Sequence, residues 1–569
     1  MILIWLLIAP AAGAILAWLL GRRDPRWSRW VSLLALAAQL AIVIYIGVHA
    51  GRLGLSPGGP WLEELNVPWI PQTGISFHLA MDGLSLLMVG LTAFLGLVSV
   101  AASWNEIQDR VGFFHFNLLW VLFGITGVFI ALDLFLFYYF WEMMLVPSYF
   151  LFYWGYERRF YAAVKFFIFT QVSGLLMLLA ILGLVFVHSL GTGTVTFDYS
   201  QLLGTPIAQP LASWLMLGFL IAFAVKLPVV PFHSWQPDAY AQSPTAATVI
   251  LAGVMSKTGG YGLLRFVVPL FPGAAFGFAT FALALAVVGI LYGALLAFGQ
   301  KDLKRLIAYS SIGHMGFVLL GVFAWNELAL QGVVMTMVAH GITTGALFIL
   351  VGQLQERTGT RDMTRLGGLW ATVPRMSGVT LLFALAALGL PGLGNFVGEF
   401  LVLVGTFRAN IAMAVAASAG IVAAVIYALW FIQRTFQGPN EAAWNLPDLS
   451  TREGVTMGIM VATIVWLGLY PQPVLNTFGQ SLNNLQRYAG AGRAEVPQEE
   501  SVVVTTSVVR TSLLGTIEVV ASGASLLPER PASGFASARS VAASSAVSDV
   551  EERTTKVVTT GDLPVGGTR

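Results

Sequence analysis

The 569-residue sequence contains no cysteine, which excludes disulfide bonds, cysteine-bound iron–sulfur clusters and cysteine zinc sites in this chain. Charged residues make up only 10% of it, against roughly 25% in soluble domains. Hydrophobic residues reach 57% and glycines number 60, which excludes a disordered chain and is typical of packed membrane helices. The net charge of +2 gives no indication of a nucleic-acid partner, and we expect none. The sequence therefore predicts an integral membrane protein.

Long apolar runs fill most of the chain. A membrane-spanning helix needs about 20 mostly apolar residues, and these runs are far longer than the roughly ten-residue strands of a membrane β-barrel. The first run lacks the basic start of a signal peptide, so we interpret it as a retained span. We predict fourteen spans, near residues 2–20, 29–50, 80–103, 111–132, 134–155, 162–188, 211–236, 245–270, 276–300, 304–323, 328–354, 373–406, 411–434 and 453–475.

Lysines and arginines in the predicted loops are distributed unequally between the two sides of the membrane. Seventeen fall on one side and two, Arg52 and Arg408, on the other. Basic loops concentrate on the cytoplasmic side of membrane proteins. We therefore expect both termini on the non-cytoplasmic side.

Four ionisable residues lie well inside predicted spans: Glu142, Lys226, Lys257 and Glu399. A charged group in the hydrocarbon region is costly unless it faces protein or water, and such groups usually mark an ion path. A lysine placed between burial and a nearby carboxylate can take up and release protons near neutral pH. Pairing for helix packing alone is the alternative, and four such residues in one chain disfavour it. The pattern predicts a chain of proton-carrying groups.

Two histidines extend this pattern. His314 and His340 lie in mid-span, between Lys257 and Glu399 in sequence order. A neutral imidazole can carry protons between partners, although a lone histidine in a helix is more often structural. We predict that both belong to the proton path, with His233 and Ser310 as accessory residues, and we predict no metal site.

Helix breakers lie close to two of the intramembrane charges. They are Pro228 and Pro231 in the seventh span, and Pro391, Gly392 and Gly394 in the twelfth. Proline removes a backbone donor and kinks a helix, and unpaired backbone groups are tolerated in membranes where water or an ion lines a cavity. We therefore predict broken helices in these two spans, while a kink that only improves packing is the alternative for either one.

Spans four to eight and nine to thirteen form two sets of five, each with a broken, charged fourth member. An odd number of spans reverses the side on which the next set starts, so the sets are related by inverted topology, which is a transporter architecture. The predicted fold is all-α, with about fourteen transmembrane helices and two inverted five-helix repeats. Its predicted divisions are the first three spans (1–110), the two repeats (111–270 and 276–436), the last span (437–480) and a largely disordered tail (490–569).

Four stretches are specific enough to indicate a family. They are KLPVVPFHSWQPDAY with SPT just after it (226–245), SKTGGYG (256–262), SSIGHMG (310–316) and PGLGNFVGEF (391–400). Over about residues 1–480 the chain resembles the antiporter-like membrane subunits of respiratory complex I. Two of the three such subunits usually carry lysine in the twelfth span, so Glu399 makes this chain similar to the third. The tail departs from the family pattern.

The resemblance implies a proton-translocating subunit of an NADH–quinone oxidoreductase, without a redox centre of its own. FMN, iron–sulfur clusters and quinone are then expected in partner subunits. Two antiporter-like neighbours are expected beside this chain in the lipid bilayer of a bacterial inner membrane. On this sequence, the family's proton path implies Glu142 and Lys226 as a pair, Lys257 at the centre, His314 and His340 as links, and Glu399 toward the exit.

Three other functions stay open from the sequence. Multi-subunit cation/proton antiporters contain similar chains, and so do hydrogenase-linked and ferredoxin-linked membrane complexes. The same lysines and glutamates would serve in each of them. A purely structural scaffold is the third alternative, and it predicts that proton pumping survives replacement of Glu142 or Lys226.

Overall fold

Helices account for nearly all of the described chain. The computed structural model describes residues 1–53 and 61–495. Within these ranges, 12 helices are long and apolar enough to cross a membrane. The protein is therefore a mostly helical, multi-pass membrane protein, as the composition predicts.

The first part of the chain carries helices α1 to α9. Two short helices, α5 and α6, follow one another with a 3₁₀ turn at Phe152–Trp154, and together they make one span-length segment, Leu134–Trp154. The bounds are α1 Ile2–Leu20, α2 Pro25–Leu53, α3 Gly83–Ala102, α4 Val111–Ile130, α5 Leu134–Met143, α6 Leu145–Leu151, α7 Arg159–Thr192, α8 Tyr199–Leu202 and α9 Gln209–Lys226.

The second part carries helices α10 to α21. Two π-helical turns, Leu251–Met255 and Leu263–Val267, join α11, α12 and α13 into one helical stretch. The bounds are α10 Trp235–Gln242, α11 Thr245–Ile250, α12 Ser256–Gly262, α13 Val268–Leu270, α14 Pro272–Phe298, α15 Leu303–Val322, α16 Glu327–Thr358, α17 Pro374–Ala387, α18 Gly394–Ala409, α19 Ile411–Phe436, α20 Thr451–Leu469 and α21 Gln472–Glu495.

Two of the predicted spans are absent from the set of twelve. The stretch 245–270 is helical throughout but is divided by the two π-helical turns, and 373–406 consists of α17 and α18 with non-helical residues between them. The last predicted span ends at Leu469, and a separate helix that we did not predict, α21, continues to Glu495. The remainder of the predicted tail, 496–569, lies outside the described residues.

Side-chain caps determine where several helices begin. Asp82, Asp133, Asp302 and Asn326 each accept a backbone N–H from the first turn of α3, α5, α15 and α16, respectively. Such a cap contributes about 1 kcal/mol. It also satisfies an amide group that a membrane environment would leave without water. The acids at these helix starts are therefore structural.

A two-stranded antiparallel hairpin precedes α3 and was not predicted. Its strands are β1 Glu63–Ile70 and β2 Ile75–Met81, paired with Leu65 opposite Leu79. The turn ends at Gly74, whose φ of +70° favours glycine. A Cβ there would lie 2.0 Å from the carbonyl oxygen of Val195. Glycine thus allows the turn to pack directly on the segment that follows α7.

A buried histidine links this hairpin to the residue before α8 through hydrogen bonds. His78 bonds Asp198 through Nδ1 at 2.5 Å and Glu64 through Nε2 at 2.9 Å. Burial lowers the pKa of His78, but the hydrogen bond and charge of Asp198, and then those of Glu64, outweigh burial and raise it. Burial raises the pKa of Asp198, whereas the hydrogen bond from His78 lowers it overall. The charge-assisted hydrogen bond between His78 and Asp198 therefore holds β2 against the start of α8.

Helix α16 occupies the centre of the helical assembly. Its span-length window is entirely buried, and it packs against α3, α11, α15, α17, α18, α20 and α21. A polar side chain on this helix can therefore meet side chains from helices distant in sequence, and His340 lies near its middle.

Candidate functional site

The six predicted path residues lie on six different helices. Lys226, Lys257, His314, His340 and Glu399 are each at most 5% exposed, and Glu142 is half-buried. They are carried, in the order Glu142, Lys226, Lys257, His314, His340 and Glu399, by α5, α9, α12, α15, α16 and α18. The structure brings the last four into one group, as follows.

Lys257 and His340 are in direct contact. Lys257 Nζ lies 2.7 Å from His340 Nδ1, and it also donates to the carbonyl of Ala252 at 2.5 Å and to Ser256 Oγ at 3.2 Å. The other ring nitrogen of His340, Nε2, lies 3.0 Å from Thr344 Oγ1. With lysine as the donor, Nδ1 accepts and Nε2–H donates to the threonine. All the hydrogen-bond partners of Lys257 among the described residues are neutral groups.

His314 and Glu399 form the second contact. His314 Nδ1 donates to Glu399 Oε1 at 2.6 Å, and both side chains are buried. A short imidazole–carboxylate hydrogen bond orients the ring. The two residues lie 85 positions apart in sequence, so only the packing of α15 against α18 brings them together.

The two pairs are neighbours. The His314 and His340 rings lie 5.4 Å apart between centroids, tilted by 56°. We call Lys257, His340, His314 and Glu399 the central chain. Among the described residues, the buried His314 Nε2 has no hydrogen-bond partner, and neither does Thr336 Oγ1, one turn before His340. Buried polar atoms ordinarily have a hydrogen-bond partner, which is often water. The space beside His314 Nε2 and Thr336 Oγ1 therefore suits a bound water between the two rings.

Glu142 and Lys226 are arranged differently from the expected pair. Lys226 Nζ lies 3.7 Å from the sulfur of Met255, and over the rings of Trp141 at 5.3 Å and Phe166 at 5.5 Å. No ion pair joins Lys226 to Glu142 in the described residues, although their charges interact. The lysine therefore leans toward the helix that carries Lys257, two residues beyond Met255.

Helix α7 determines the position of the Glu142 carboxylate. Glu142 Oε1 is buried without a hydrogen-bond partner among the described residues. It lies so close to Gly174 on α7 that a Cβ at that glycine would be 2.2 Å away. The absence of a side chain at Gly174 thus makes room for the carboxylate.

The accessory residues lie beside the two ends of the path. His233 follows α9, and its ring lies edge-on to Tyr292 at 5.2 Å. Ser310 donates to the carbonyl of Ile307 at 2.9 Å. It also contacts the buried Tyr427, whose ring oxygen is close enough to Glu399 for their charges to interact. Neither accessory residue bonds a member of the central chain.

Helix ends lie close to Lys226 and to Glu399. Lys226 is the last residue of α9, and α10 begins at Trp235. Glu399 lies in the second turn of α18, and Glu399 Oε2 is 3.5 Å from a Cβ built on Gly389. Gly389 and Gly392 have φ angles of +79° and +95°, which favour glycine. The non-helical residues between α17 and α18 thus lie close to the carboxylate.

Sequence reasoning missed one buried ion pair. Arg265, at the end of the helical stretch that holds Lys257, donates to Asp82 Oδ2 at 2.5 Å and to the hydroxyl of Tyr261 at 3.2 Å. Arg265 is one of three basic residues inside the predicted spans, which is a signal that was available. Its partner could not be found from sequence, because Asp82 lies 183 positions away.

Sequence reasoning also missed a polar cluster around Lys304. Lys304 counts as a loop cation in the sequence, but in the structure it is 0% exposed. Its Nζ donates to Tyr156 OH at 3.4 Å and to the carbonyl of Ser243 at 3.3 Å. Tyr156 in turn donates to Glu106 Oε1 at 3.2 Å. A lysine next to the cap residue Asp302 looks like any positive loop residue in the sequence, so no pattern marks it as buried.

The central chain consists of groups that can pass a proton. Amine, imidazole and carboxylate groups each accept and release protons, and in this order they connect the middle of the protein to Glu399. Among the described residues, no group of three His, Cys, Asp or Glu side chains could hold a metal ion. The arrangement therefore suits proton transfer across a membrane.

Comparison with known proteins shows the family. The sequence profile described as NADH:quinone oxidoreductase/Mrp antiporter, transmembrane, matches residues 131–426. The NADH-quinone oxidoreductase subunit M of Pseudomonas aeruginosa is 52% identical over 502 residues, which is 86% of this chain and 98% of that protein. Subunit M of Escherichia coli (strain K12) is 50% identical over 499 residues, with the same shares covered.

Solved structures agree with these relatives. A chain of respiratory complex I from Thermus thermophilus with bound NADH has a TM-score of 0.77 at 31% identity, covering 86% of this chain and 100% of that one. A chain of the Mrp complex from Dietzia sp. DQ12-45-1b has a TM-score of 0.76 at 21% identity, over 87% and 98% of the two chains, which is a likeness of fold. The resemblance inferred from the motifs is confirmed. The chain belongs to the NADH:quinone oxidoreductase/Mrp antiporter transmembrane family, and within it to the group of subunit M proteins.

Proposed function

We propose that this chain is the proton-translocating membrane subunit of an NADH–quinone oxidoreductase, driven by electron transfer in partner subunits. The observation that carries the proposal is the central chain: four buried groups on four helices, in contact in the order Lys257, His340, His314 and Glu399. Such groups are costly in a membrane interior and are retained where ions pass. The family match supports an NADH–quinone oxidoreductase as the complex in which this subunit works.

Each residue has a proposed role. Lys257 holds the proton at the centre, His340 and His314 hand it on, and Glu399 releases it toward the exit. Lys226 moves between Glu142 and the Met255 side, which changes the charge that Lys257 experiences. His233 and Ser310 hold water or orient neighbouring groups at the two ends. In this scheme no residue has a net change in protonation after one full cycle.

We further propose fourteen spans, with broken helices at the seventh and twelfth. The end of α9 at Lys226 supports the first break, and the end of α17 at Ala387 before α18 starts at Gly394 supports the second. The proposed units are residues 1–110, the inverted repeats 111–270 and 276–436, and the last span within 437–480. The proposed tail begins after α21.

We place the chain in a bacterial inner membrane with both termini on the non-cytoplasmic side. The 17 to 2 distribution of basic loop residues supports this orientation. The proposed neighbours are two other antiporter-like subunits of the complex. FMN, iron–sulfur clusters and the quinone site then belong to partner subunits, and this chain contributes proton transfer alone.

Purification of the assembled complex tests the function. The tagged chain is extracted in mild detergent, co-purifying subunits are identified by mass spectrometry, and flavin and iron are assayed in the eluate. We expect flavin, iron–sulfur and quinone-site subunits in amounts comparable to the tagged chain. Small membrane antiporter subunits without flavin or iron would contradict the proposal and indicate a cation/proton antiporter instead.

The Gly174→Ala substitution tests whether the position of the Glu142 carboxylate matters. The new methyl group would lie 2.2 Å from Glu142 Oε1, and because the carboxylate is the movable end of a side chain, it shifts while the helices stay in place. A displacement of about 1 Å can cost up to ~10²-fold in a transfer step. We expect NADH-driven proton pumping in inverted membrane vesicles to fall about tenfold.

Gly191→Ala on the same helix is the matched control. A Cβ at Gly191 meets nothing within 4 Å, so the substitution adds the same methyl group without touching a neighbour. Both variants should assemble to the same level in the membrane. Equal pumping by the two variants would show that the carboxylate position is not important.

A further inference from the structure

A polar cluster lies where α11 and α15 begin, with Thr245 and Lys304 buried and Glu106 and Tyr156 partly buried. Glu106 accepts hydrogen bonds from the backbone N–H of Thr245 at 2.9 Å, from its hydroxyl at 3.0 Å and from Tyr156 OH at 3.2 Å. Lys304 donates to the same Tyr156 hydroxyl and lies over its ring at 4.5 Å. We call Glu106, Tyr156, Thr245 and Lys304 the Glu106 cluster. It lies on the side that carries the basic loops.

Hydroxyl groups lead inward from this cluster. The carbonyl of Ser243 accepts from Lys304, and Ser243 Oγ lies 2.8 Å from Thr248 Oγ1. Thr248 Oγ1 also donates to the backbone carbonyl of Tyr240 at 3.1 Å. Ser243, Thr248 and Tyr240 are each 0% exposed. These side chains are thus sealed from lipid and from bulk water.

The same line reaches Lys257. The phenol of Tyr240 donates to the carbonyl of Leu251 at 3.1 Å and contacts the hydroxyl of Ser256. Ser256 Oγ accepts from Lys257 Nζ at 3.2 Å. Ser256 is 1% exposed, so this last step is also enclosed. We call Ser243, Thr248, Tyr240 and Ser256 the hydroxyl path.

Among the described residues, two steps lack a direct contact between proton-carrying groups. Lys304 donates to the backbone carbonyl of Ser243 and not to its hydroxyl. Thr248 bonds the backbone of Tyr240 and not its phenol, so the length of the tyrosine side chain separates the two hydroxyls. Gln236, one helical turn before Tyr240, contacts the phenol. Its buried Oε1 has no hydrogen-bond donor within the part of the chain that the structure describes. Buried oxygens of this kind are commonly satisfied by water. A water on Gln236 would place a proton donor beside the phenol.

We propose that the hydroxyl path delivers protons from the Glu106 cluster to Lys257, with Tyr240 as the controlling step. A proton from Lys304 or Glu106 passes along the path as each hydroxyl accepts one proton and releases another, and the neutral amine of Lys257 receives it as ammonium. The hydroxyls are unchanged after each transfer. This inference rests on the proposed function, because it supplies the proton that the central chain carries onward.

Proton transfer does not continue from Lys257 in the direction of Tyr261 and Arg265. Tyr261, one turn after Lys257, donates to the carbonyl of Phe129 at 2.9 Å. Beyond it lies Arg265, bound to Asp82. Arginine does not release its proton in proteins, so this guanidinium ends any relay in that direction. Tyr240 and Tyr261 are both at most 1% exposed, which makes them a matched pair.

The test compares Tyr240→Phe with Tyr261→Phe in the assembled complex. Each removes one buried hydroxyl that donates to a backbone carbonyl. We expect Tyr240→Phe to lower the initial rate of NADH-driven pumping about tenfold and to increase the ratio of turnover in H₂O to that in D₂O. Tyr261→Phe should pump close to the wild-type rate. Equal losses in the two variants, or wild-type pumping by Tyr240→Phe, would overturn the proposal.

A second pair of variants guards against a folding defect. Thr248→Val removes the hydroxyl at nearly constant shape, whereas Thr248→Ser keeps it. We expect pumping to fall in Thr248→Val and to persist in Thr248→Ser, and equal pumping by the two would overturn the path. Lys257→Met separates the two proposals. If it stops pumping while Tyr240→Phe does not, the path alone is wrong, and if it pumps normally, the proposed central chain is wrong.

Discussion

Replacing Lys257 with methionine should abolish NADH-driven proton pumping, while the complex still assembles. Methionine has a similar length and flexibility and fills irregular buried spaces, so the variant leaves no large cavity. It removes the amine that contacts His340 at 2.7 Å. Positioned proton-transfer groups contribute about 10²–10⁴-fold to rates. We therefore expect pumping in inverted vesicles to fall at least about a hundredfold.

Two controls separate transfer from assembly. Lys301→Met removes a lysine from an exposed loop position and should leave pumping unchanged. Oxidation of NADH by a soluble electron acceptor, measured on the same vesicles, reports the proposed flavin-containing partner subunit that is bound to the membrane, so it should be equal in wild type and Lys257→Met. Arginine is not a useful replacement, since it does not release its proton. Substantial pumping by Lys257→Met would refute the central position of this lysine.

Ionisable residues could be predicted from sequence because a membrane interior makes them costly. Lys257 and Glu399 are conspicuous in apolar runs, and the cost of burying each is a physical reason to expect a function. The contacts could not be predicted in the same way. The bond between His314 and Glu399 joins residues 85 positions apart, and a single sequence contains no information on which helices meet.

Elements without long apolar runs could not be predicted from the sequence for a related reason. The hairpin β1–β2 is short and exposes much of one strand, so it does not produce a span-like signal. In α21, apolar residues recur one turn apart, with Val474, Phe478, Leu482 and Leu485 buried. Polar residues between them keep its mean hydropathy low. A search for spans finds neither, whereas a search for helical periodicity would find α21.

The conformation of the Lys226 side chain is the property least predictable from the sequence. The family resemblance implied that Glu142 pairs with Lys226, yet in this structure the ammonium lies beside Met255 and two aromatic rings. A cation–π contact contributes about 0.5–2 kcal/mol, and an ion pair at 4 Å contributes about 4 kcal/mol at an effective dielectric of 20. Two rings together contribute about 1–4 kcal/mol, so at the upper end of this range they balance one carboxylate. A small change in the surroundings can move the lysine from one position to the other, as a proton switch requires.

Glu142→Gln and Lys226→Ala should each reduce NADH-driven pumping sharply, by about a hundredfold, and electron transfer to quinone should fall with it. Each change removes one charge of the switch, so the lysine no longer has two positions of similar energy. Glu157→Gln, at an exposed loop position, is the matched control and should pump like the wild type. Full pumping by both single variants would refute the switch.

The double variant tests whether the two residues act as a unit. If Lys226 works only by moving toward and away from Glu142, then removing the carboxylate already removes the function of the lysine. Residues in direct interaction give non-additive effects, whereas independent residues give effects that add. We therefore expect Glu142→Gln/Lys226→Ala to pump no more slowly than the worse single variant. Multiplied losses would mean that the two charges act on the proton separately, and the switch would have to be abandoned in favour of two independent steps.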